Sequence, residues 1–135
     1  MGDPAVPQHE IEVIAGPEAA ASARAAVAHL GMLQLQKRMA DVKLALSEVV
    51  TNAVRHGALR WDVDQVRIIV GAGQDAVRVT VEQPTIAEGV RIHEPRVGSV
   101  NPGGFGLRLV DQVVDHWGHD PGPPGRVWFE FRTPS

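Results

Sequence analysis

Two runs of alternating apolar and polar residues, at 65–70 and 76–83, flank the stretch Gly-Ala-Gly-Gln-Asp at 71–75 and constrain the fold more than any other part of the chain. A period of two puts alternate side chains on opposite faces of a strand, and a short glycine-bearing link joins two such strands as an antiparallel hairpin. A sheet built around this hairpin cannot be wholly parallel. The 135 residues suffice for one domain with its own core.

The flanking segments supply the rest of the architecture. Residues 9–14 alternate as a strand, and Gly16 and Pro17 end it, with Pro17 suited to the first turn of an alanine-rich helix over 17–30. Gly31 closes that helix. A longer helix is expected over 36–56, with Val42, Leu46, Val49, Val50 and Ala53 at helical spacing and Gly57 as its cap. Residues 84–103 then lose all periodicity among prolines and glycines, as lids and binding loops do. Helical spacing resumes over 105–116 through Leu107, Val110 and Val114, and the chain closes on a strand at 126–132 with Val127, Phe129 and Phe131 on one face. The expected fold class is α/β in the sense of an α+β two-layer sandwich. It comprises a mixed, largely antiparallel sheet with helices on one face, as a single domain over 1–135.

Composition narrows the function. A hydrophobic fraction of 44% and a charged fraction of 21% are those of a soluble globular chain. The net charge of -3, with acids and bases interspersed, gives no electrostatic footprint for nucleic acid or an anionic membrane. Cysteine is absent, which removes disulfides, thiolate metal sites and a thiol nucleophile. The polar, proline-broken start is unlike a signal peptide, and no apolar run approaches the ~18 residues of a membrane span, so a cytoplasmic location is expected.

Two segments carry candidate chemistry. In Ser-Glu-Val-Val-Thr-Asn-Ala-Val-Arg-His-Gly at 47–57, Glu48, Asn52 and Arg55 fall at i, i+4 and i+7 and share one helical stripe. A carboxylate there can orient or deprotonate an attacking hydroxyl, and an amide oxygen is a hard ligand suited to magnesium. The same stripe also describes a solvated helix face, and the spacing alone leaves both readings open. In Asn-Pro-Gly-Gly-Phe-Gly-Leu-Arg-Leu-Val at 101–110, glycines run into an amphipathic helix whose free N–H groups and dipole suit a phosphate. The chain has no Gly-x-x-x-x-Gly-Lys-Ser/Thr P-loop and no Gly-x-Gly-x-x-Gly after a strand.

Together, in this order and with a lid between them, these segments resemble the GHKL superfamily of ATP-binding domains, which includes gyrase, histidine kinases and bacterial anti-sigma factors. Residues 47–57 look like the N box, Glu-x-x-x-Asn-Ala-x-x-His-Gly, of anti-sigma-factor serine kinases, and 104–110 look like their second glycine box. The resemblance runs over nearly the whole chain. It implies a histidine-kinase-like ATP-binding domain with a lid at 84–103, ATP and Mg2+ as ligands, Glu48 as catalytic base or water-orienting residue, Asn52 as magnesium ligand, and Gly104 and Gly106 as backbone donors to the phosphates. Arg55, His56, Phe105 and Leu107 join the nucleotide pocket by the same likeness, and lid residues Arg91 and Arg96 are candidates to reach a γ-phosphate. It further implies a sigma factor and a serine-bearing antagonist of the anti-anti-sigma kind as partners. Pairing with a second copy through the first helices stays open.

One position departs from the family. Where an aspartate accepts a hydrogen bond from the adenine amino group, this chain has Gln83, in phase with the inward Val79 and Val81, while Glu82 should face the other way. A neutral carboxamide forfeits a charge-assisted bond, roughly 1 kcal/mol of binding, and its N–H donor also suits the 6-oxo group of guanine. Weaker ATP affinity and a relaxed base preference are therefore expected, as is the alternative that the chain acts as a partner-switching binding module without catalysis. Among the lesser features, His116 and His119 read as dipole-stabilising residues near a helix end, and Trp61, Trp117 and Trp128 as packing residues.

Overall fold

The computed structural model describes residues 8–56, 59–83, 102–122 and 124–132, the side chains of 56 and 102–107 excepted. Strand β1 (Gln8–Ile14) turns through Gly16 and Pro17 into α1 (Ala19–His29), followed by a short α2 (Leu33–Gln36) and the long α3 (Met39–His56). The hairpin strands are β2 (Gln65–Ala72) and β3 (Ala76–Glu82). After them come α4 (Pro102–Val113), β4 (His116–Asp120) and β5 (Arg126–Arg132).

The strands form one sheet in the order β1-β2-β3-β5-β4, and every pairing is antiparallel. The sheet expected to be mixed and largely antiparallel thus has, among the described residues, no parallel pair. The chain leaves α4, lays β4 along the outer edge and returns through a tight turn into β5, which is left between β4 and β3 and opposed to both. The left-handed Gly122, at φ 78°, sits in that turn.

Helices cover one face of the sheet. Val66, Ile68 and Val70 of β2, Val77, Val79 and Val81 of β3, and Val127, Phe129 and Phe131 of β5 are buried there against Ala23 and Val27 of α1, seven residues of α3 led by Leu46 and Val49, and Val110 of α4. Each such valine or leucine contributes roughly 1.5–3 kcal/mol, whereas poor helix propensity costs at most about 0.7 kcal/mol per residue. Packing therefore holds the valine-rich α3 helical, and it lies centrally, against α1, α4 and the sheet. Arg24 of α1 locks the helices together by donating to the Ser47 hydroxyl at 2.8 Å, while that hydroxyl donates to the Lys43 carbonyl at 2.6 Å.

Helix α1 starts at Ala19, with Pro17 in the turn before it, and β2 runs on through Gly71 to Ala72; three further boundaries also differ from expectation. The helix expected from Gln36 is broken, with Gln36 in α2 and α3 starting at Met39. The break lets Leu35 bury fully and frees Arg38, which donates to Asp41, to Asp115 and to the Val113 carbonyl and stands over the Phe131 ring at 4.8 Å. The last helix begins at Pro102 rather than Phe105, with the proline at an end where a missing N–H is harmless. It also ends at Val113, so His116 and His119 lie on β4 and not at a helix end. Pairing with β5 wins there because it turns Trp117 inward opposite Phe129 and sets Gly118 opposite Trp128.

The other face of the sheet is charged. Glu12 lies opposite Arg67, Arg67 reaches Glu82 at 3.8 Å, Glu82 accepts from Arg126 at 2.9 Å, and Arg126 approaches Asp120 at 3.9 Å, a row of alternating sign across all five strands. Beside it Arg78 pairs with Glu130 at 2.8 Å and stacks on Trp128 at 4.2 Å.

Candidate functional site

The candidate site is organised by α3. Its apolar stripe faces the sheet, which leaves Glu48 and Asn52, one turn apart, half-buried along the flank of the helix rather than out in solvent. Their neighbours Val49 and Ala53 are buried, so the backbone bearing both polar groups is fixed by the core. The carboxylate and the carboxamide are pre-positioned without a dedicated support.

Helix α4 packs against α3, which brings the glycine-rich segment alongside the helix bearing Glu48 and Asn52. Because α4 starts at Pro102, Gly104 lies in its first turn and Gly106 follows within the helix, not in a preceding loop. First-turn amides have no intrahelical acceptor and carry the positive end of the helix dipole, which is the arrangement an anion requires. The side chains of Phe105, Leu107 and His56 lie outside the described residues, as do 84–101 of the lid, with Arg91 and Arg96.

Gln83 is placed as strand alternation requires. It is 94% buried, with only 6% of its surface exposed, on the helix-facing side with Val79 and Val81. Its backbone N–H donates to the Gly125 carbonyl at 2.8 Å, which ties the end of β3 to the turn before β5. Glu82 faces the other way, into the charged row. A carboxamide held at the helix-facing end of β3 offers one donor and one acceptor to a planar base.

Arg55 has a different setting. It is exposed and lines, with Thr51 and Val54, a cleft of about 530 Å3 that reaches the start of α1 and Trp61; Glu48 and Asn52 are not among the residues lining it. The helical stripe groups Arg55 with the other two and gives no weight to Thr51, and Trp61, expected to be a packing residue, is instead 61% exposed. The Thr51 and Arg55 pair at i, i+4 was a visible signal, but Trp61 sits in an aperiodic segment, and only the tertiary fold brings it to α3.

A carboxylate and a carboxamide on α3, a glycine-bearing first turn on the helix packed against it and a buried amide at the end of β3 are the group types that a nucleotide with a hard cation calls for. A family model, the histidine kinase-like ATPase domain, matches residues 13–127, from β1 into β5 and across all of these groups. The chain belongs to that family.

As a histidine kinase-like ATPase domain it is an ATP-binding fold, with the two-layer GHKL architecture described above. In residue type the chain fits such a ligand: Asn52 has a neutral oxygen of the kind that would hold magnesium, and Gln83 has the hydrogen-bonding capacity that a base edge would use. Comparison with curated proteins returns no match. Among the described residues no helix is long and apolar enough to cross a membrane.

Proposed function

We propose that this ATPase-family domain is a regulator of the anti-sigma-factor kinase type, which holds Mg-ATP, sequesters a sigma factor and phosphorylates a serine on an antagonist protein. The observation that carries this reading is the N-box pair, Glu48 and Asn52, half-buried one turn apart on a helix that α4 packs against. Magnesium, when bound, would screen the phosphate oxygens. Asn52 is the residue suited to hold it, through its side-chain oxygen. Glu48 is suited to accept the proton of the incoming serine hydroxyl, and its fixed backbone limits the reorganisation that step needs. The first-turn amides of α4 orient the phosphates, and Gln83 receives the base.

Gln83 favours a second reading, in which the domain keeps fold and partner surface while nucleotide use has eroded, and regulation works by association alone. One experiment separates the two. Millimolar Mg-ATP should raise the melting temperature, since a ligand that binds only the folded state stabilises it by roughly 2.7 kcal/mol at a hundredfold excess over Kd. No shift supports the binding module. Where the shift is present, single-turnover phosphorylation of an antagonist should slow by roughly two to four orders of magnitude in Glu48→Ala. An unchanged rate removes Glu48 from the role of base.

A further inference from the structure

The cleft beside Arg55 is lined by none of Glu48, Asn52 and Gln83. Its volume of about 530 Å3 falls in the range of small-molecule sites, roughly 300–1,000 Å3. Ala20 of α1, Val54 of α3 and Leu59 give it apolar walls, and Trp61 stands at its edge with 61% of its surface exposed. The polar groups among its described lining residues are the Thr51 hydroxyl and the Arg55 guanidinium, and none of those residues is acidic. Among the described residues Arg55 has no carboxylate partner. A smaller cleft on the charged face, about 290 Å3, differs in this respect, because its Arg67 is already engaged by Glu82 at 3.8 Å.

The exposure of Trp61 is built into the fold. Asp64, only 8% exposed, accepts from the Arg60 backbone N–H and, at 3.0 Å, from its guanidinium. The Asp62 N–H donates to the Ala15 carbonyl and the Ala15 N–H to the Asp64 carbonyl, so both sides of the turn are pinned to the end of β1. Asp62 itself is left-handed at φ 61°, a conformation that L side chains adopt only under constraint. The turn pinned in this way carries the exposed indole at the cleft.

We infer that this cleft binds a small monoanion with a flat apolar body. The anionic group is held by the Arg55 guanidinium and the Thr51 hydroxyl, and the ring system lies against Trp61, Val54 and Leu59. A single guanidinium without an acid beside it selects one negative charge rather than a neutral or cationic ligand. Apolar walls with an aromatic edge select a flat body over a flexible polar one. Filling the cleft requires neither a nucleotide nor phosphoryl transfer.

The test uses the full chain and two fluorescent probes, 1-anilinonaphthalene-8-sulfonate and its uncharged relative N-phenyl-1-naphthylamine. The sulfonate probe should bind with one-to-one stoichiometry, quench Trp61 (a quench lost in Trp61→Phe) and resist displacement by saturating Mg-ATP. Arg55→Gln should weaken the sulfonate probe by about tenfold or more while leaving the neutral probe within about twofold. Ala20→Trp, which fills the cleft, should abolish binding of both; should that variant fail to fold, the surface variant Trp61→Ala should weaken both probes. Displacement by Mg-ATP, equal loss of both probes in Arg55→Gln, or affinity unchanged in the cleft variants would overturn the assignment. So would absence of probe binding together with competition at Trp61 by an acidic amphipathic peptide, which would make the cleft a protein-docking surface.

Discussion

The Trp128 indole covers Gly118 on the neighbouring strand so closely that a Cβ at position 118 would stand 2.6 Å from Cζ2 of the ring. Arg78 lies over the same indole, 4.2 Å from its centroid, so the ring has little room to yield. Gly118→Ala should therefore destabilise the domain by about 1–3 kcal/mol, as overpacking does elsewhere. Adding Trp128→Val to that variant should recover part of the loss. Urea titrations of the two single variants and the double variant measure the coupling, and strict additivity would show that the indole is not the obstacle.

Arg38 joins the start of α3 to the end of α4 and to β5 through the Val113 carbonyl at 2.9 Å, Asp115 at 3.3 Å and the Phe131 ring. Its ion pairs are partly exposed and contribute little. The carbonyl bond and the ring contact together put the cost of Arg38→Ala at about 1–2 kcal/mol in thermal unfolding. Arg38→Lys should recover less than half of it, since a point-like ammonium cannot serve a carbonyl, two carboxylates and a ring from one plane.

Acid should weaken the fold through Asp115. The Arg132 backbone N–H, at 2.6 Å, and then the Arg38 guanidinium hold its carboxyl below the usual carboxylate range. A carboxyl depressed in the folded state binds protons more readily in the unfolded chain. Its stabilisation is thus complete above the unfolded value, near about 4, and is lost as pH falls through the lower folded value. Asp64, depressed first by the Arg60 side chain and then by its backbone N–H, acts in the same window. Stability measured between pH 7 and pH 2 should fall less steeply in Asp115→Asn than in the parent chain.

At the base end of the candidate site, Gln83→Asp should restore a charge-assisted acceptor. Mg-ATP affinity should rise by roughly fivefold, about 1 kcal/mol, and any Mg-GTP binding should fall. Calorimetry with both nucleotides reads the change. Equal gains for the two would show that the residue does not meet the base edge.

The hairpin, α3 and the inward phase of Gln83 were legible because each rests on a periodicity that a buried face imposes on the chain. Strand β4 was not. His-Trp-Gly-His-Asp has one large apolar residue, and its reason for pairing is a glycine that admits the Trp128 ring from another strand. The break before α3 was hidden for a related reason. No glycine or proline marks residues 37–38, and what bends the chain is the reach of Arg38 toward residues 75 and 77 positions away. At the site, Glu48 and Asn52 were readable as a stripe on one helix. The separate setting of Arg55 depends on where α1 and the Trp61 turn come to rest, which local spacing does not encode.

In α3 the central beam of the core and the scaffold of the chemistry are one piece of backbone. Val49, Val50 and Ala53 anchor it from one side, and Glu48 and Asn52 ride on its flank with no hinge between. A conservative change of volume beneath the beam that shifts it by a fraction of an ångström carries the polar pair with it. The valines under this helix are in effect tuning elements, and variation among them would register as altered affinity long before it registered as a lost fold.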